Sequence, residues 1–170
     1  MTHIDTAFAW ASQAAALGWV CLLAGVVAQG LAVRRTGAVW WARAFLWVGG
    51  RVLPVLLSVG YAVAITRWFG TAEGGFGSLD AVARLFETRG MLLAGWVHYL
   101  AFDLWVGRWQ VDRLARTLDA GGPARPAWGL RLAAMPCLLM TFLLGPVGLL
   151  MFLTLIGWHA RRVPVPTRPA

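Results

Sequence analysis

Residues 14–33 are AAALGWVCLLAGVVAQGLAV, twenty positions with no charge and a single amide, Gln29. At about 1.5 Å rise per residue, a helix of that length covers about 30 Å, the hydrocarbon thickness of a bilayer. An uncharged apolar run of this length indicates a membrane span. Three further stretches extend the pattern. Residues 45–65 carry one charge, Arg51. Residues 91–106 carry His98 and Asp103, and reach spanning length only if the helix continues to about Trp109. Residues 132–156 carry no charge but are interrupted by Pro136 and Pro146. The sequence therefore predicts an all-α fold: a four-helix transmembrane bundle with spans at about 14–33, 45–65, 91–109 and 132–156. Its 170 residues suit a single integral membrane domain.

Composition agrees. Hydrophobic residues make up 59% of the chain, above the roughly 45–50% of soluble domains. Charged residues make up 13%, about half the soluble share. So few charges cannot clothe a small soluble fold, and disorder needs low hydrophobicity. All fifteen cations are arginine, and the net charge is +8. The arginines fall mainly at the ends of apolar runs, so membrane lipids are the expected partner and nucleic acid is not. The lack of lysine fits a GC-rich coding sequence and a bacterial inner membrane. The two cysteines, Cys21 and Cys137, lie inside apolar runs and lack any metal-binding spacing.

The connections are legible too. The N-terminus lacks a basic region, so the first span is expected to remain as an anchor rather than be cleaved. Trp40, Trp41, Trp68, Trp109 and Trp158 sit at or just beyond span ends, as interfacial belts require. Between spans two and three, Ser78 offers an N-cap. Leu79, Val82, Ala83 and Phe86 then recur at helical spacing, opposite Asp80, Arg84 and Glu87. This predicts a short interfacial helix, with Asp80 and Arg84 as an i,i+4 pair. The stretch 110–131 reads as a mostly irregular loop after a short helical extension, and 163–170 as an extended tail. Counting arginines near span ends gives eight for the first and third loops, against six for the second loop and the tail. That places loops one and three inside and both termini outside.

Polar groups within the spans carry the functional signal, because a charge in hydrocarbon is costly unless paired or used. Arg51 lies about 9 Å into span two from the first-loop side, and Asp103 lies at the same depth in span three. The matched depth predicts an Arg51–Asp103 ion pair, against a snorkelling Arg51 and a solvated Asp103. His98 lies near mid-membrane, about 140° around the helix from Asp103. It is a neutral packing histidine, a proton donor or acceptor in a lipid-facing pocket, or, least favoured, a metal ligand. Thr141, at comparable depth in span four, is placed to hydrogen-bond it. Trp96, Phe102, Trp105 and Thr141 are the side chains expected to line a substrate site. HExxH, GxSxG and His-rich clusters are all missing, so no metal or other cofactor is expected.

One stretch is more distinctive than composition: Gly95-Trp96-Val97-His98-Tyr99-Leu100-Ala101-Phe102-Asp103-Leu104-Trp105-Val106-Gly107-Arg108-Trp109. It closely resembles the signature of the plant abscisic-acid-deficient, neoxanthin-synthase-like membrane family and its bacterial relatives. Leu85-Phe86, Pro136-Cys137-Leu138, Thr141 and Gly145-Pro146-Val147-Gly148-Leu149-Leu150 resemble further motifs of that family in the same order. The resemblance runs from about Tyr61 to Leu155. It implies a small helical membrane protein. The chemistry implied is conversion of an epoxide to an allene on a carotenoid, an isomerisation with no net redox change. Such a step needs an acid at the epoxide oxygen and a base at a polyene carbon. His98, Tyr99 and Asp103 are the matching positions that could supply them. The expectation is thus an acid–base isomerase of a carotenoid or other isoprenoid. The alternatives are a non-catalytic module binding a lipid, a carotenoid or a partner membrane enzyme, or a small transporter needing a homo-oligomer.

Overall fold

A computed structural model describes residues 2–32, 39–119 and 128–162. These are all-α, with no strand among them. The helices are α1 (His3–Ala32), α2 (Val39–Trp47), α3 (Leu53–Trp68), α4 (Leu79–Glu87), α5 (Arg89–Asp119), α6 (Trp128–Leu144) and α7 (Pro146–Arg162). A π-helical turn, Val48–Val52, joins α2 to α3, and a 3₁₀ turn, Phe69–Thr71, follows α3. The stretches His3–Ala32 and Val39–Thr71, 30 and 33 residues long, are long and apolar enough to cross a membrane. They cover residues 14–32 of the first expected span, whose last residue lies outside the described residues, and all of the second.

Local sequence explains several boundaries. Thr2 caps α1 reciprocally: its hydroxyl accepts from the Asp5 amide at 3.3 Å, and its own amide donates to Asp5 Oδ2 at 3.0 Å. This satisfies donors that a helix start leaves open. Ser78 caps α4, accepting from the Ala81 amide at 3.1 Å, as expected. Pro54 explains the π turn. It has no N–H, and its ring crowds the carbonyl four residues back, at Gly50, so the helix widens over Val48–Val52.

The chain divides into two compact units. The first holds Met1–Cys21 and Trp47–Trp105. Its buried apolar residues include Ala15, Trp19, Leu57, Leu85, Met91, Ala94, Val97 and Leu104. Within it, the indole of Trp68 lies over Gly90 and the ring of Phe86 over Gly95, so each close approach depends on a missing side chain. The second unit holds Leu22–Leu46 and Val106–Ala170. Leu22, Val26, Leu114, Ala134, Leu138 and Phe152 are buried there, with the polar Gln110, Arg131 and Thr141 among them.

Two boundaries differ from expectation. α5 runs without interruption to Asp119, ten residues past the expected end of span three. The stretch 132–156 is two helices, not one. Gly145 adopts φ 44°, a left-handed conformation open to glycine, and Pro146 restarts the helix. The chain reverses there, and α6 and α7 pack along each other. Their approach is so close that a Cβ on Gly148 would lie 2.0 Å from the Thr141 backbone nitrogen. The expected Asp80–Arg84 pair is also not formed. Among the described residues the ion pairs are Arg89–Asp5 and Arg108–Asp112. Gly121, Gly122, Pro123 and Pro126 of the third loop, Arg34 and Arg35 of the first, and the tail lie outside the described residues.

Candidate functional site

The helical period of α5 builds the site. Arg89, Leu92, Leu93, Trp96 and Tyr99 recur at three- and four-residue intervals, so they share one face. In the first unit that face, with Ile4, Asp5 and Phe8 of α1 and Phe86 of α4, encloses a cavity of about 480 Å³. Its walls are chiefly apolar and aromatic. The Phe8 ring lies 5.5 Å from that of Trp96, which lies 5.8 Å from that of Tyr99. The Trp96 indole N–H donates to Ser12 Oγ at 3.1 Å, which fixes the ring.

The two ends of the cavity differ in chemistry. At one, Arg89 and Asp5 form an ion pair. The Asp5 carboxylate also accepts from the hydroxyl and amide of Thr2. Those bonds hold the Asp5 carboxyl below its ordinary range. Desolvation opposes them, and the charge of Arg89 adds to them. At the other end, ten residues or about 15 Å along the helix, stands Tyr99. Its hydroxyl is hydrogen-bonded to the carboxylate of Asp103 one turn on. Asp103 is 8% exposed, and its Oδ2 has no hydrogen-bond partner among the described residues.

The structure brings together some expected residues and separates others. Trp96, Tyr99 and Asp103 converge. His98 does not join them. It is exposed on another face, with its ring stacked 4.5 Å from Phe102 and edge-on to Tyr61 at 5.0 Å. Phe102 and Trp105 are exposed and do not line the cavity. Thr141 is buried in the second unit, where its hydroxyl donates to the Cys137 carbonyl and accepts from Gln110 Nε2 at 3.0 Å. The Arg51–Asp103 ion pair is corrected: Arg51 is exposed, Asp103 is buried, and Asp103 is met by Tyr99. Equal depth assumed straight helices, but the π turn holding Arg51 shifts the phase of every side chain around it.

Sequence reasoning missed Asp5, Phe8, Phe86 and Arg89. Asp5 and Arg89 are 84 positions apart, and neither carries a motif. Gln110 was missed because it falls one residue beyond the expected span. No group of three or more His, Cys, Asp or Glu among the described residues could hold a metal.

An all-α chain with two helices able to cross a membrane and an apolar, aromatic-walled cavity belongs to the class of small helical proteins associated with membranes. The family is then specific: the model of the ABA DEFICIENT 4-like family matches residues 6–152, and the chain belongs to that family. No curated protein matches the chain, and no solved structure does.

Proposed function

We propose that the chain is a multi-pass membrane protein that isomerises an isoprenoid lipid, a carotenoid being the case its family suggests. One end of the substrate enters the cavity walled by Phe8, Phe86 and Trp96. One observation carries this reading: Tyr99 is a wall of the cavity and is also hydrogen-bonded to a buried carboxylate. As the epoxide binds, the Tyr99 O–H turns from Asp103 to the epoxide oxygen and gives up its one proton as the C–O bond opens. The proton lost from the polyene carbon returns to the Tyr99–Asp103 pair. The pair ends as it began, and no electrons are exchanged. Asp103 is a positioning residue that orients the hydroxyl and shares its proton. His98, set apart among aromatic rings, has no part in the step.

The test is pigment analysis in hosts making defined carotenoids. Wild type is expected to yield a new pigment isomer. Tyr99→Phe should lower its formation by about 100-fold or more, with protein still accumulating, and His98→Ala should not. Failure of wild type to alter any epoxide-bearing carotenoid sinks the reading. A second reading, a non-catalytic module holding a lipid or a partner enzyme, draws support from the exposed Trp10, Leu79, Phe102 and Leu150. Unchanged pigments with a coloured purified protein would favour it.

A further inference from the structure

A second cavity, of about 370 Å³, lies wholly in the second unit. It gathers the end of α1 at Gln29 and Ala32, the start of α2 at Val39 and Arg43, the end of α5 at Asp119, and the start of α6 at Arg131. Two of these ends, Ala32 and Val39, bound the two stretches able to cross a membrane. Their ends fall at headgroup depth when those stretches span.

The lining has an unusual charge pattern. Arg131 is 6% exposed, yet lines the cavity. Among its partners, its Nη1 donates across 3.4 Å to the Val26 carbonyl and across 3.4 Å to Gln29 Oε1. Burying a guanidinium is costly unless charged or strongly polar groups meet it. Asp119 acts on it electrostatically. The exposed Arg43 adds a second cation. Two cations, one anion and an amide therefore share one cavity whose remaining wall, which includes Ala42 and Leu46, is apolar.

We propose that this cavity binds the headgroup of a zwitterionic phospholipid with a free amine, phosphatidylethanolamine in chemical class. The phosphodiester meets Arg43 and Arg131, the ammonium donates to Asp119, and the first methylenes of the acyl chains lie against Ala42 and Leu46. A purely anionic headgroup would leave Asp119 facing negative charge, and a trimethylated amine has no N–H to give it. The proposal rests on the membrane placement above and is independent of the isomerase chemistry.

The experiment is native mass spectrometry of the detergent-purified full chain, titrated with synthetic phosphatidylethanolamine, phosphatidylcholine and phosphatidylglycerol of equal chain length. Inorganic phosphate and phosphoethanolamine serve as tail-less competitors. The expected order places phosphatidylethanolamine first. Arg43→Ala should weaken it by about tenfold, the loss of one charge-assisted bond. Asp119→Asn, an exposed position, should leave binding in place but remove the preference for the free amine. Preference for phosphatidylglycerol, or insensitivity to both variants, overturns the proposal. Competition by inorganic phosphate as effective as the lipid also overturns it, in favour of a soluble-anion site. Alkaline carbonate washing of membranes separates the two failures. Release of the chain sinks the membrane placement itself, whereas retention with headgroup-independent binding sinks only this site.

Discussion

Asp103 shows how far a single residue can be read in advance. That it would be buried and partnered followed from its place in an apolar run, because hydrocarbon makes an isolated carboxylate costly. Its partner did not follow. Tyr99, four residues earlier on the same helix, was in plain view, but depth matching favoured Arg51. Depth fixes height along a helix and says nothing of rotation about it. Tyr99→Phe strips Asp103 of its one side-chain donor among those described. It should lower thermal stability in detergent by about 1–3 kcal/mol, the cost of an unmet buried acceptor, while Arg51→Ala should be near neutral. Asp5 gives a pH test. Its folded carboxyl is held below the unfolded value of about 3.9. Its stabilisation is therefore complete above that value and lost as pH falls through the lower folded one. The melting-temperature gap between wild type and Asp5→Asn should be widest at neutral pH and close in acid.

At the level of elements, helices were legible because apolar runs, caps and breakers are local signals. α4 appears where Ser78 and the spacing placed it, although the residue it buries is Leu85 and Leu79 is exposed. The direction of the chain through 132–156 was less legible. Hydropathy counts that stretch as one continuous span, while the backbone direction is decided by Gly145 and Pro146 alone. A Gly-Pro dipeptide is a turn signal, outweighed here by the apolar residues on both sides. Substitutions should separate conformation from contact. Gly145→Ala forces a left-handed alanine and should cost about 1–2 kcal/mol. Gly148→Ala drives a Cβ into the α6 backbone at Thr141 and should cost more. Chemical unfolding of both variants measures the order, and equal losses would argue against the tight crossing.

For the molecule as a whole, the reversal at Gly145 has a consequence for sidedness. A continuous span over 132–156 would send the tail to the face opposite the third loop. If α6 and α7 insert as proposed, the reversal at Gly145 would return the tail to the side from which α6 starts. Arg161, Arg162 and Arg168 would then be counted with the eight arginines of the first and third loops in the sequence. On the proposed multi-pass reading the sequence count would become eleven arginines against three, Arg67, Arg84 and Arg89. Under that proposal the weak bias of the straight-span reading would become a strong one, since cytoplasmic loops carry the arginine excess. A fluorescent reporter fused after Ala170 should therefore light up in the cytoplasm, while an alkaline phosphatase placed ahead of Thr2 should be active on the far side. On the proposed multi-pass reading, the handedness of one glycine decides how many times the chain crosses the bilayer, and so which side the tail faces.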